Sequence, residues 1–242
     1  MLIDRYFETV DSLFTKLKET QRGNCLEAGK LMADAVACGN AVNVFDTGHI
    51  IDSELVYRGG GAVFLKQFKY SLTVDNPVRP RDRSKVEKSM EGLADYALRA
   101  SGAMPGDVII IGSVSGKAVN TIDLALGARE FGMKVIAVTS LEYSSKIQSL
   151  HSSGKRLFEC ADVTLDNCAP AAEAMMQIEG LDARFAAASG LSSVFLLWSS
   201  LAVAIEELIK KGIMPSLYKS GNFEDGQEYN EKMIARYTET GW

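Results

Sequence analysis

Residues 108–117 read Val108-Ile109-Ile110-Ile111-Gly112-Ser113-Val114-Ser115-Gly116-Lys117. Four consecutive β-branched residues between turn signals describe a short strand buried on both faces, the pattern of an interior parallel strand. The chain then opens through hydroxyls and glycine into residues 119–131, whose apolar spacing predicts a helix stopped at Gly132. A helix N-terminus presents unpaired backbone amides and a partial positive charge, so a strand, loop and helix in this order can hold an anion. Ser113 and Ser115 add hydroxyl donors, the glycines let the backbone approach a ligand, and Lys117 adds a charge-assisted contact. A second reading fits the same residues: Ser115 simply caps the helix that follows.

Working outward, residues 135–138 form a second buried strand ending at Thr139-Ser140. Residues 41–45 form a third, closed by Asp46-Thr47-Gly48-His49. A short helix through Glu54 and Tyr57 follows, broken by Gly59-Gly60-Gly61, and residues 62–65 suggest another strand. Residues 75–83 are a loop by their Pro, Asn and Asp content. Helices are expected at 3–19, 24–38, 84–100, 144–150 and 187–211, with a strand at 163–165. Residues 166–184 fit no pattern, and the tail 213–242 is expected to wrap the body and end in a helix around 231–237. Buried strands alternating with helices predict a parallel sheet covered by helices on both faces. In such sheets ligands bind beyond the carboxyl ends of the strands, which here means the loops 46–50 and 112–117.

With 242 residues and no linker-like stretch, one α/β domain is expected, with N-terminal helices in 1–38. The chain has 26 basic and 31 acidic residues, a formal charge of −5, which excludes the concentrated basic face of nonspecific nucleic-acid binding. A local positive site for an anionic ligand remains compatible with that balance. Cys25, Cys38, Cys160 and Cys168 have no metal-ligand spacing and read as reduced core cysteines. The N-terminal Met1-Leu2-Ile3-Asp4-Arg5-Tyr6 lacks the basic start and apolar run of a secretory signal, so a cytoplasmic location is expected. The apolar stretch 191–205 is shorter than the ~20 residues that span a bilayer and reads as a buried helix.

Two nucleotide loops are excluded. Gly112 and Gly116 are separated by three residues rather than four and Ala118 stands where magnesium needs a hydroxyl, so this is no triphosphate loop. A Gly-x-Gly-x-x-Gly between strand and helix is also missing.

Ser113-Val114-Ser115-Gly116-Lys117, followed by Thr121 and Ala125-Leu126, resembles the Ser-x-Ser-Gly loop and helix of the SIS (sugar isomerase) domain family. Val135-Ile136-Ala137-Val138-Thr139-Ser140 is similar to that fold's next strand. Three further stretches narrow the likeness to a bacterial SIS group carrying phosphoheptose isomerase or phosphosugar-binding labels. They are Gly48-His49 with Tyr57-Arg58 and Gly60-Gly61; the run from His151 to Cys168; and Ser220-Gly221-Asn222 with Gly226 and Tyr229-Asn230. The resemblance implies a three-layer, flavodoxin-like sandwich on a five-stranded parallel sheet, and a homodimer or homotetramer. It implies a sugar-phosphate ligand held by Gly48, the loop residues Ser113, Val114, Ser115, Gly116 and Lys117, and Thr121. It also implies a Glu and often a His for proton transfer. In the first loop, Asp46 would repel a phosphate and Ile50 cannot donate to one.

The proton-transfer groups available are Glu54, His49 and His151, the last two being the chain's only histidines. In one reading Glu54 removes a proton beside a carbonyl while a histidine shuttles a proton at oxygen. In the other, Glu54 pairs with Arg58 at i,i+4 and the histidines are loop hydrogen bonders. The leading expectation is therefore an aldose–ketose isomerase of a sugar phosphate that needs no cofactor and no metal. The alternatives are a noncatalytic sugar-phosphate sensor or regulatory module, and a lyase acting on an amino-sugar phosphate. The basic loop Arg79, Arg81, Arg83 could reach an anion or be merely solvated.

Overall fold

The computed structural model describes residues 1–47, 51–86 and 89–242. Five parallel strands form the sheet: β1 (Val42–Asp46), β2 (Leu65–Gln67), β3 (Val108–Gly112), β4 (Lys134–Thr139) and β5 (Val163–Asp166). Their order is β2-β1-β3-β4-β5, the flavodoxin-like 2-1-3-4-5 arrangement, as expected. Every residue of β3 is buried, which is what its unbroken run of β-branched side chains demands.

Alternation along the strands splits the core into two layers. Val42, Val44, Val108, Ile110, Ile136, Val138 and Leu165 face α1 (Leu2–Ala37) and α6 (Ser189–Lys210). Phe45, Ile109, Ile111, Val135 and Ala137 face α3 (Leu93–Ala100) and α4 (Val119–Glu130). The short α2 (Ile51–Leu55) lies on the α6 side, with Ile51 and Leu55 in that layer.

Several expectations are corrected. The separate helices at 3–19 and 24–38 are one helix of 36 residues. Gly23, in the gap between the two expected helices, costs a helix about 1 kcal/mol, and packing against α6 outweighs it. That packing is close: a Cβ on Gly29 would lie 2.5 Å from the Ser200 carbonyl oxygen. The helix expected at 84–100 begins only at Leu93, because Gly92 takes a left-handed φ of 90° and the Asp123 carboxylate accepts both the Gly92 and Ala94 amides. The strand expected at 62–65 starts at Leu65 instead, while Ala62 bridges Leu217 in the tail and Val63 donates to Ser216. The helix expected at 144–150 is α5 (Leu141–Ser144), started by Ser140 Oγ accepting the Tyr143 amide. Within 166–184 and just beyond lies a hairpin of β6 (Ala174–Met176) and β7 (Phe185–Ala187). The tail carries α7 (Gly226–Thr240), longer than the helix expected there.

α6 has 22 residues, so by length and composition it could cross a membrane, contrary to the estimate made on 191–205. In this fold it runs along α1 with Leu196, Ala204 and Leu208 fully buried, the position of a core helix.

Candidate functional site

The strand order reverses between β1 and β3, and the two strands end side by side at Asp46 and Gly112. Thr47 donates both its amide and its hydroxyl to the Gly112 carbonyl, at 3.4 and 3.2 Å. Asp46 Oδ2 accepts the Ile51 amide at 3.1 Å, turning the carboxylate onto the start of α2. Gly112 has no room for a side chain: a Cβ would stand 2.5 Å from Ile51 Cδ1 and 3.2 Å from Asp46 Oδ1.

Beyond Gly112, the loop to α4 is held largely by three of its carbonyls. Val114 O accepts the Ser140 amide and the Thr139 hydroxyl, Gly116 O accepts the Leu157 amide at 2.9 Å, and Lys117 O accepts the Leu150 amide at 2.9 Å. Two loop amides are taken: Ser113 N–H by Val138 O, and Gly116 N–H by Ser113 Oγ at 3.3 Å. Among the described residues, the amides of Val114, Ser115, Lys117 and Ala118 and those of Val119, Asn120 and Thr121 in the first turn of α4 have no acceptor. Gly116, at φ 57°, makes this possible, since successive amides around a left-handed residue converge into an anion-binding concavity. The N-cap of α4 is Ala118, with no side-chain cap bond, so Ser115 does not cap the helix. Among the described residues the Ser115 hydroxyl has no partner. Lys117 is partly exposed. Thr121 is fully buried and its hydroxyl is committed to Ala118 O at 3.1 Å.

A narrow crevice continues from Ser113 and Val114 towards α6, walled by Asp46, Asn167, Ser189 and Ser193. Asn167 is fully buried; its Nδ2 donates to Ser193 Oγ at 3.2 Å and its Oδ1 accepts the Ala169 amide. Sequence reading did not place Asn167, Ser189 or Ser193 at the site. Asn167 figures only in the run from His151 to Cys168 that carries the family likeness, with no role given to it, and the serines read as interruptions of an apolar helix.

Glu54 and His151 are not brought together. Glu54 lies on the α6 side of the sheet, where its carboxylate pairs with Arg58 Nη1 at 2.6 Å. It opens on a cleft of about 410 Å³ shared with Glu173, Ser189, Leu191 and Val194. His151 lies on the other side, against α4. Ser153 donates its amide to His151 Nδ1, so the ring proton sits on Nε2, which approaches Asp123 Oδ1 (3.8 Å) and Glu91 Oε2 (3.9 Å). Ser152 donates its hydroxyl and amide to Glu91, holding that carboxyl below the usual range. Gly48 and His49 lie outside the described residues, as does Ile50. Among the described residues no cluster of His, Cys, Asp and Glu is arranged to hold a metal.

A cavity of about 370 Å³ adjoins the first turn of α4, between Val119, Asn120, Phe45, Tyr70, Leu72 and Met90. Burial, helped by the nearby Asp123 carboxylate, pushes the Tyr70 hydroxyl up to about 12, so it stays protonated there.

A doubly wound parallel sheet with an amide-lined Ser-x-Ser-Gly loop at its switch point defines the class, and the model of the SIS domain matches residues 5–140. The chain belongs to the SIS domain family. Its full-length relatives are UPF0309 proteins. That of Streptomyces griseus subsp. griseus is 31% identical over 238 residues, covering 98% of this chain and 95% of the relative. That of Oceanobacillus iheyensis is 33% identical over 235 residues, covering 96% and 95%. Among solved structures, the fold is similar to that of a phosphoheptose isomerase from Francisella tularensis. The TM-score is 0.52 at 14% identity, over 84% of this chain and 95% of the other. A phosphoheptose isomerase from Neisseria gonorrhoeae is similar at 0.52 and 15%, over 84% and 96%.

Proposed function

We propose that this chain binds a sugar phosphate, with the phosphate seated at Ser113, Val114, Ser115, Gly116, Lys117 and the first turn of α4. One observation carries the reading: the carbonyls of Val114, Gly116 and Lys117 are bonded inward, while among the described residues seven amides of the loop and the first turn of α4, and the Ser115 hydroxyl, have no partner. Unpaired amides at a helix end carrying roughly half a positive charge suit an oxyanion and nothing cationic. Asn167, Ser189 and Ser193 would meet sugar hydroxyls in the adjoining crevice. Asp46, turned onto α2, would accept from a hydroxyl rather than face the phosphate. The names of the structurally similar phosphoheptose isomerases fit this ligand class.

Binding, as in a sensor, is the activity that one copy supports by itself, because Glu54 and His151 stand on opposite faces of the sheet. Isomerisation is the second reading: among the described residues no histidine stands beside Glu54, so the proton shuttle would be His49, which lies outside the described residues, or a histidine of a second copy. Its support is that Leu191 and Val194, beside Glu54, begin a stripe on α6 that continues through Phe195, Trp198 and Ile209 and stays partly or wholly exposed. A homodimer or homotetramer formed on that stripe, in the cytoplasm, would bring another copy to the Glu54 cleft.

Calorimetry against a panel of sugar phosphates and the same sugars unphosphorylated tests the binding. Selective affinity for the phosphorylated forms is expected; equal affinity, or none, overturns it. Proton NMR of the bound sugars then reads aldose–ketose interconversion directly.

A further inference from the structure

Residues 71–86 are all exposed, sixteen in a row, with no strand or helix among them. Among the described residues their hydrogen bonds are internal: Val78 to Asn76, Ser84 to Asp82 and Val86 to Arg83. The segment leaves the body at Ser71 and Leu72 and returns at Met90, and all three residues lie on the rim of the cavity beside Val119 and Asn120. Both ends of this excursion are thus at the mouth of the amide-lined loop.

Arg79, Arg81 and Arg83 lie on the excursion, and among the described residues none of them is in an ion pair. The proposed phosphate seat is short of positive charge. Lys117 is the ammonium on the loop, while Asp46 lines the crevice beside Ser113 and Val114, and Glu91 and Asp123 lie against His151 on the α4 side. A phosphate monoester carries about −1.5 to −2 charges at neutral pH, more than one lysine and a helix end offset. Arginine supplies that charge with a planar fork that meets phosphate oxygens in pairs.

We propose that residues 71–86 are an arm that closes over the phosphate bound at the start of α4, with Arg79, Arg81 and Arg83 as its anion clamp. This rests on the reading of loop 113–121 as a phosphate seat. Reach is sufficient: Arg79 is seven residues past Leu72, about 23 Å of extended chain. Closure would also cover Leu72, Val74 and Val78, which are 53–73% exposed, against the apolar wall formed by Phe45, Tyr70 and Met90. Motion of this kind is drawn from segments with few fixed contacts, as this one is.

The test uses the full chain and glucose 6-phosphate, with inorganic phosphate as a second probe. Trypsin can cut after Arg81, Arg83 and Lys85, while Pro80 protects Arg79. Saturating ligand is expected to slow those cuts, and the triple variant Arg79→Gln, Arg81→Gln, Arg83→Gln is expected to lose about tenfold or more in affinity, since it removes charge-assisted contacts. The variant should also bind with a shallower dependence on salt. All three side chains are on the surface, so the variant's melting temperature serves as the check that it folds. If the wild type binds either probe and the triple variant binds it equally well, the arm is excluded while the phosphate seat stands. If the wild type binds neither, both fail together.

Discussion

Gly116 and Leu157 are locked face to face. The Gly116 carbonyl accepts the Leu157 amide at 2.9 Å, and a Cβ on Gly116 would lie 3.1 Å from Leu157 Cβ. At φ 57° the position also disfavours any L side chain. Gly116→Ala should therefore cost about 1–2 kcal/mol of stability from the left-handed conformation alone. It should also lose sugar-phosphate affinity, as the amides around it turn. Chemical denaturation and calorimetry together check this; unchanged affinity would mean the loop geometry is not what binds.

Ser115 is the complementary case. Its hydroxyl has no partner among the described residues and does not cap α4, so Ser115→Ala should leave the melting temperature unchanged. Affinity for a phosphorylated sugar should fall by about 1–3 kcal/mol, the range for hydrogen bonds to a charged group. A variant that loses stability but keeps its affinity would assign the serine to folding.

Glu54→Gln separates binding from catalysis. The Glu54–Arg58 pair is partly exposed, so breaking it should cost at most about 1 kcal/mol of stability. Affinity for the phosphate should hold. If two copies together isomerise a sugar, turnover should drop by about 10²–10⁴, the usual contribution of a positioned base. Single-turnover NMR on both forms decides; equal turnover removes Glu54 from the chemistry.

The turn Leu157–Cys160 that backs Gly116 carries a pH signature. The Arg156 guanidinium, bonded to Glu159, and the Arg156 amide hold the Glu159 carboxyl at about 2. A depressed folded pKa stabilises above the unfolded value of about 4.3 and ceases to do so as pH falls towards 2. The melting temperature of the wild type should exceed that of Glu159→Gln at pH 7, and the gap should close between about pH 4.3 and 2. A gap that persists at the acid end would refute the linkage.

The α6 stripe predicts self-association. The wild type should scatter light as a dimer or larger at micromolar concentration. Leu191→Glu, placing a charge at an exposed position beside the Glu54 cleft, should shift it towards monomer. A wild type that is monomeric throughout would end the interface and, with it, any proton shuttle supplied by a second copy.

What the sequence determined by itself was local. Val108-Ile109-Ile110-Ile111 has no amphipathic face, so it had to be an interior strand, and the hydroxyl- and glycine-rich loop after it had to open at the sheet's carboxyl end. The order of strands and helices then restricted the architecture to a doubly wound sheet. Tertiary structure decided what depends on distant partners. Two helices were expected at 3–19 and 24–38, but α1 runs unbroken through Gly23 and packs closely on α6 at Gly29 and Ser200. A helix was expected over 84–100, but α3 starts at Leu93, where Asp123, about thirty positions on, takes the Gly92 and Ala94 amides. Asn167 and Ser193 meet across the crevice through a hydrogen bond between separate elements, which no spacing records. Glu54 and His151 looked like partners because both carry proton-transfer chemistry. Whether two side chains share a face of the sheet depends on which layer their elements pack in, and that is settled only when the layers assemble.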